Sequence, residues 1–215
     1  MIRSVIFDLD GTLIDSMSIW SSIDRKFLLE NGVKEPPADI SDIMRKLTVD
    51  EAAQYFISEF RMPHTKEYVI DRIEELVRDE YEHNIQFKPH VHETLERLDG
   101  LGIPYCVATA TYRGLAEAVL KRCGIFDRFR FIATDAEYPS GKTCPDIFLG
   151  CAGRMGCAPD ETMVVEDSLH CIETASAAGF FTVGIFDDYS APERSQIEKA
   201  ADKYIMSLDE MFNIM

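Results

Sequence analysis

Short apolar runs separated by stretches of helical spacing limit this chain to a small set of folds. The runs are Val5-Ile6-Phe7, Ile103 to Ala108, Phe129 to Ala133, Thr162 to Val165, Phe181 to Ile185 and Tyr204 to Met206. Between the later ones lie helix-like segments, Arg113 to Cys123, Pro145 to Met155 and Ser168 to Ala178. Strands and helices alternating at this length imply a parallel sheet covered on both faces, an α/β doubly wound, Rossmann-like core. The interval from Ile14 to Lys88 breaks the pattern, because it contains no convincing strand. Helical spacing runs instead over Ser16 to Glu30, Val49 to Phe60 and Thr65 to Asn84, the last with Val69, Ile73, Leu76, Val77 and Tyr81 on one face. Gly32 and Pro36-Pro37 interrupt it, and Lys88-Pro89-His90 closes it. The expected organisation is a core of residues 1–14 and 89–215 with an all-helical insertion over 15–88. A length of 215 residues with 46% hydrophobic content suits one large domain with a smaller insertion.

Composition excludes several partners. The formal net charge is −16, so the overall field repels nucleic acid and anionic membrane, and an anionic substrate needs a local positive pocket. No apolar run approaches the roughly 20 residues that span a bilayer. The six cysteines, Cys106, Cys123, Cys144, Cys151, Cys157 and Cys171, are scattered through apolar or helical stretches with no signal peptide ahead of them. They read as reduced thiols of a cytoplasmic protein. A zinc site from Cys144, Cys151 and Cys157 is disfavoured by the lack of a close Cys-x-x-Cys pair. The expected oligomeric state is a monomer, with a dimer left open.

The first apolar run ends in Asp8-Leu9-Asp10-Gly11-Thr12. Side chains alternate along a strand, so Asp8 and Asp10 leave its end pointing the same way, and Gly11 permits the sharp turn. Two like charges at the mouth of an apolar sheet call for a cation. Three further polar signals fall at or beyond strand ends: Thr109-Ala110-Thr111, Lys142 in a Ser-Gly-Lys-Thr loop, and Glu166-Asp167-Ser168. Each alone has a plain explanation as a helix cap or a surface charge. Together they sit where ligands bind in open parallel sheets, beyond the carboxyl ends of the strands.

This ordered set resembles the haloacid dehalogenase-like superfamily, in the branch of β-phosphoglucomutase and small sugar-phosphate phosphatases. The matching motifs are Asp8-Leu9-Asp10-Gly11-Thr12, Thr109, Lys142 with Pro145-Asp146-Ile147-Phe148, and Glu166-Asp167-Ser168 followed by Ala177-Ala178-Gly179. The resemblance implies Mg²⁺ held by Asp8, the backbone carbonyl of Asp10 and Asp167, with Glu166 as a further ligand or a supporting acid. It implies Asp8 as nucleophile, Asp10 as general acid and base, and Lys142, Thr109 and nearby N–H groups such as that of Ala110 as phosphate holders. The insertion then reads as a cap, with Trp20, Arg45, Lys46, Tyr112 and Arg113 as candidates for specificity. The chain departs from the family pattern at Cys171, where Gly is usual, and at Thr143, where Pro is frequent. Trp20 stands where mutases place a His, and Lys46 to Asp50 ends acidic where mutases offer a basic grip for a second phosphate. The expected activity is therefore a phosphatase acting on a small phosphorylated metabolite. A mutase, or a non-catalytic binding module on the same fold, is the alternative.

Overall fold

The computed structural model describes residues 1–44, 49–138 and 140–215. Among the described residues six strands form one parallel sheet: β1 (Ser4–Phe7), β2 (Tyr105–Thr109), β3 (Ile132–Thr134), β4 (Thr162–Glu166), β5 (Phe181–Ile185) and β6 (Lys203–Ile205). Their spatial order is β3-β2-β1-β4-β5-β6, so strand order reverses between β1 and β4. That reversal opens a crevice at the carboxyl ends of those two strands. Register completes the placement. Phe7 pairs with Val107 on one side and Val165 on the other, which sets Asp8 level with Ala108 and Glu166.

Strands β1, β2, β3 and β4 are buried at every position, as expected of a parallel sheet covered on both faces. Even the polar Ser4 and Thr162 are buried, and they satisfy each other through their hydroxyls at 2.9 Å. One side of the core gathers Ile6, Cys106, Ala108, Val164 and Phe180 with Ile147, Phe148 and Cys151 of the helix Asp146–Met155. Among the described residues no helix is long and apolar enough to cross a membrane.

The chain divides into two compact units, Met1–Asp15 with Ile85–Met215, and Ser16–Asn84. In the second unit, α1 (Met17–Glu30), α2 (Ile40–Met44), α3 (Val49–Glu59) and α4 (Lys66–Asp79) are helical. Phe27 of α1 packs on Phe56 of α3 with ring centroids 5.2 Å apart, and α4 buries Val69, Leu76 and Val77. Thr65 caps α4, its hydroxyl accepting from the Tyr68 N–H at 3.3 Å. Beyond Asp79 the coil widens to a π turn over Glu80–Asn84, with Tyr81 fully buried.

Asp24, in α1, is 8% exposed, and burial pushes its carboxyl pKa up from 3.8 to about 6. A raised acid pKa means the native state holds its proton more tightly, so stability is lost as pH rises from 3.8 towards about 6. Asp24→Asn is expected to raise the thermal midpoint at neutral pH, by ~1–3 kcal/mol in stability terms, with a smaller gain near pH 5. Parallel melts of variant and wild type at the two pH values measure this. Equal gains at both would remove burial of the charge as the cause.

Several boundaries differ from the sequence expectation. Residues Ile85 to Lys88 belong to the first unit, because Ile14 bridges Phe87, Asp15 N–H donates to Gln86 O at 2.9 Å and Lys88 N–H to Leu13 O at 3.0 Å. Phe129 lies outside β3; its ring meets Tyr105 edge-on at 5.2 Å, so its apolarity serves packing rather than strand pairing. Ile103 precedes β2 and its N–H closes the preceding helix onto Leu98 O at 3.0 Å. That helix, α5 (Val91–Leu101), and α9 (Arg194–Ala200) were not anticipated as helices, whereas α6 (Arg113–Arg122), α7 (Asp146–Met155) and α8 (Leu169–Ala177) fall on the expected segments. In α5, Val91, Thr94, Leu95 and Leu98 are buried at helical spacing.

Candidate active site

The site begins where β1 ends. Asp8 N–H donates to Val165 O at 3.0 Å, so Asp8 is still held by the neighbouring strand β4. The chain then turns back on itself: Leu13 and Ile14 N–H groups both reach Leu9 O, at 2.9 and 3.0 Å, and Gly11 N–H reaches Ile14 O at 2.9 Å. Gly11 sits at φ +84°, a left-handed backbone that glycine adopts without penalty. Because the peptide is planar and trans, the Gly11 N–H pointing at Ile14 turns the Asp10 carbonyl the opposite way. The Asp10 carboxylate is held from the loop after β2, where Thr111 Oγ1 donates to its Oδ2 at 2.7 Å.

Three acids converge. Carboxylate oxygens of Asp8, Glu166 and Asp167 lie within 4.8 Å of one another, and all three residues are buried. Lys142 enters this cluster from a 3₁₀ turn over Gly141–Thr143. Its ammonium bonds Asp8 Oδ1 and reaches Glu166 Oε1 at 2.7 Å. The second Glu166 oxygen accepts the Ser168 N–H at 2.8 Å, at the start of α8. Asp8 Oδ2 has no hydrogen-bond partner among the described residues. The turn that delivers Lys142 needs its preceding glycine, since Gly141 has φ +53° and a side chain there would stand 2.9 Å from Asp135 Oδ2.

Electrostatics follow from burial. Desolvation pushes Asp8 up to about 8; Lys142 opposes this while Glu166 and Asp10 add to it. Asp167 is raised well above the ordinary range by burial and then by Glu166, Asp8 and Asp187. Burial also penalises the Glu166 charge, yet Lys142 and the Ser168 N–H hold that pKa below the usual value. Burial likewise works against the Lys142 ammonium, and Asp8 and Glu166 overrule it, so its pKa is raised well above the ordinary lysine value. One buried cation thus faces three buried carboxyl groups. Asp8 and Asp167 would hold a hard divalent cation, which would supply the missing positive charge, and an all-oxygen donor set is what such an ion takes. The donor set and the orphaned oxygen therefore fit a metal.

Of the residues singled out from sequence, Asp8, Lys142, Glu166 and Asp167 come together directly, and Asp10 joins through the turn. Thr109, at the end of β2, is buried, and its hydroxyl oxygen accepts the Thr111 N–H at 3.0 Å, which leaves its O–H free to donate. Ala110 follows it at the strand end. Tyr112 is 68% exposed at the start of α6. Arg113 is committed elsewhere: it pairs with Glu137 and donates to Ile132 O at 2.9 Å. Arg45 and Lys46 lie outside the described residues, as does the side chain of Trp20. Cys171 is buried, its sulfur 3.2 Å from His170 Nε2, and its thiol helps lower the Glu166 pKa. Asp187 and its partner Lys88 escaped the sequence reading. Asp187 follows β5, so the strand-end rule that found Asp8 and Glu166 applies to it equally.

The chain matches the family described as Haloacid dehalogenase-like hydrolase over residues 5–185. It is 31% identical over 213 residues to the phosphoglycolate phosphatase of Escherichia coli K12, covering 89% of this chain and 84% of that one. A pseudouridine-5′-phosphatase candidate of Drosophila melanogaster is 28% identical over 200 residues, covering 88% of this chain and 84% of that one. A crystal structure of a candidate β-phosphoglucomutase from Thermotoga maritima superposes with a TM-score of 0.85 at 23% identity, covering 99% of this chain and 98% of that one, a likeness of fold. With a family match across most of its length and a relative above 30% identity, the chain belongs to the haloacid dehalogenase-like hydrolases.

Proposed function

We propose that this protein is a Mg²⁺-dependent phosphatase that hydrolyses a small phosphorylated metabolite through a phosphoryl group carried on Asp8. The observation that carries this reading is Asp8 itself, a buried carboxylate with one oxygen on Lys142 and the other unpartnered. Relatives named phosphoglycolate phosphatase and hexitol phosphatase B, from Escherichia coli, support a phosphomonoester substrate. Asp8, Asp167 and the Asp10 carbonyl would hold the ion, which supplies positive charge against the phosphate oxygens.

An Asp8 carboxylate oxygen attacks phosphorus, and the bond from phosphorus to the substrate oxygen breaks. Asp10 gives its proton to the departing alkoxide. A water molecule then attacks the same phosphorus and passes a proton back to Asp10, releasing inorganic phosphate and restoring both acids. Lys142 stays bound throughout, neutralising Asp8 and a phosphate oxygen in turn, while Thr109 O–H donates to another. Glu166 accepts from Lys142 and from the Ser168 N–H, so in this reading it anchors Lys142 as the supporting acid of the cluster.

The helical unit Ser16–Asn84 is the cap in this reading, and Trp20, Arg45, Lys46 and Tyr112 remain the candidates that select substrate from it and from the loop after β2. Support comes from the connections: the chain leaves and re-enters the core at adjacent points, with Asp15 bonded to Gln86. Two connections suffice for hinge motion of a cap.

Turnover of a panel of phosphorylated metabolites, with and without Mg²⁺, tests the function. Release of phosphate from at least one small ester, abolished by chelation, is expected; metal-independent release would remove the proposed cofactor. Asp10→Asn tests the acid step. It is expected to slow an alkyl phosphate about 10²–10⁴-fold and an aryl phosphate much less, since a good leaving group departs without a proton. Equal losses on the two esters would take Asp10 out of that role.

A further inference from the structure

We propose that Lys88 is a positioning residue for the Asp10 end of the site, with Asp187 as its anchor, an inference that rests on the phosphatase reading above. The Lys88 ammonium donates three hydrogen bonds, each 2.8 Å long, to Gly11 O, Phe186 O and Asp187 Oδ2. An ammonium has three protons, so its donors are fully used. The pair is well shielded, with side-chain exposures of 14% for Lys88 and 6% for Asp187. Asp187 is itself fixed, its other oxygen accepting the Tyr189 N–H at 2.8 Å.

The target of this clamp gives it a role beyond holding two loops together. Gly11 directly follows Asp10, and its carbonyl lies in the one stretch of the motif that no strand pairs regularly. Asp8 is secured by β4 and by Lys142. Asp10 has the turn beneath it and Thr111 on its carboxylate. Lys88 fastens that turn from the far side to the end of β5, and its own N–H donates to Leu13 O at 3.0 Å, so one residue grips the turn at two points. Loss of the ammonium frees the Gly11 carbonyl and lets the Asp10 carboxylate drift from the leaving oxygen, while Asp8 and Lys142 keep their places. A shift of that kind costs rate without weakening substrate binding, because the proton donor and not the phosphate grip is displaced.

The experiment compares wild type, Lys88→Met and Asp187→Asn on p-nitrophenyl phosphate and on a simple alkyl phosphate, with thermal melts of each protein. Lys88→Met is expected to lower kcat on the alkyl ester about 10–100-fold, with less than about a threefold loss on the aryl ester and little change in KM. Asp187→Asn is expected to show the same preference at smaller amplitude, because the ammonium keeps its two carbonyl acceptors. Equal losses on the two esters, or none on either, would overturn the positioning role, since a purely structural staple has no reason to distinguish leaving groups. Should Lys88→Met be recovered unfolded, Asp187→Asn decides by the same comparison. A wild type inert towards both esters and towards the whole metabolite panel overturns the phosphatase reading and this role with it, whereas an active wild type with unchanged variants overturns this role alone.

Discussion

Asp8→Asn is expected to lower turnover at least ~10⁴-fold with the fold intact, the scale seen when a nucleophile is removed from a hydrolase. The amide matches the carboxylate in size but is a far poorer nucleophile, and it removes one of the three charges that call for a cation. The melt should hold or improve. Asp8 is 6% exposed, with a pKa pushed up to about 8 by burial, so its ionised form is costly to bury and its neutral replacement is not. Against that gain stands the lost charge pairing with Lys142, which retains Glu166 as a partner at 2.7 Å. Phosphate release at a tenth of the wild-type rate or more, in freshly prepared variant free of deamidation, would mean that another group attacks phosphorus.

Lys142→Met is the second large effect, and it acts on stability as well as on rate. Removing the one cation from a cluster whose carboxylates are almost wholly buried leaves those charges uncompensated, a change that costs about 3–5 kcal/mol. Its raised pKa keeps Lys142 charged, in folded and unfolded chain alike, at every pH below the ordinary lysine range, so the wild-type contribution is constant there and fades only at strongly alkaline pH. The variant behaves differently: Glu166, whose buried charge Lys142 holds below the usual carboxylate range, loses that support and takes up a proton as pH falls, so its deficit should shrink in acid. Denaturant melts at about pH 7.5 and pH 5.5 measure both points. A deficit below about 1 kcal/mol at the higher pH would show that the acids relax to solvent without Lys142.

The parts of this fold legible in the sequence are those with a local cause. Strands β4 and β5 begin where the apolar runs begin, because each run is flanked by residues that end pairing, and Asp8 and Glu166 were visible as acids that break an apolar run. Boundaries blurred where an apolar residue had another duty, as Phe129 does against Tyr105. Helix α5 carries the right spacing, but Lys88-Pro89-His90 before it reads as a boundary, with His90 in a left-handed conformation that sequence does not announce. Arg113 looked free to face substrate until Glu137 was placed beside it. The Lys88–Asp187 pair is the extreme case. Its members are 99 positions apart, Lys88 reads locally as punctuation before Pro89, and only the folded chain brings the loop after β5 within one side chain's reach of the turn after β1.

A phosphoryl group on Asp8 is the central claim, and chemical trapping tests it most directly. Asp10→Asn protein mixed with an aryl phosphate and Mg²⁺ can still form the acyl phosphate, because the leaving group needs no proton, but lacks the base that activates water for its breakdown. Quenching in borohydride reduces an aspartyl phosphate to homoserine, and peptide mass spectrometry then reads the residue at position 8. Homoserine at position 8, dependent on substrate and absent when Asp8 is also changed to Asn, is the predicted result. Phosphate released over many turnovers with Asp8 recovered unmodified at every quench time, or homoserine at another carboxylate, would contradict it.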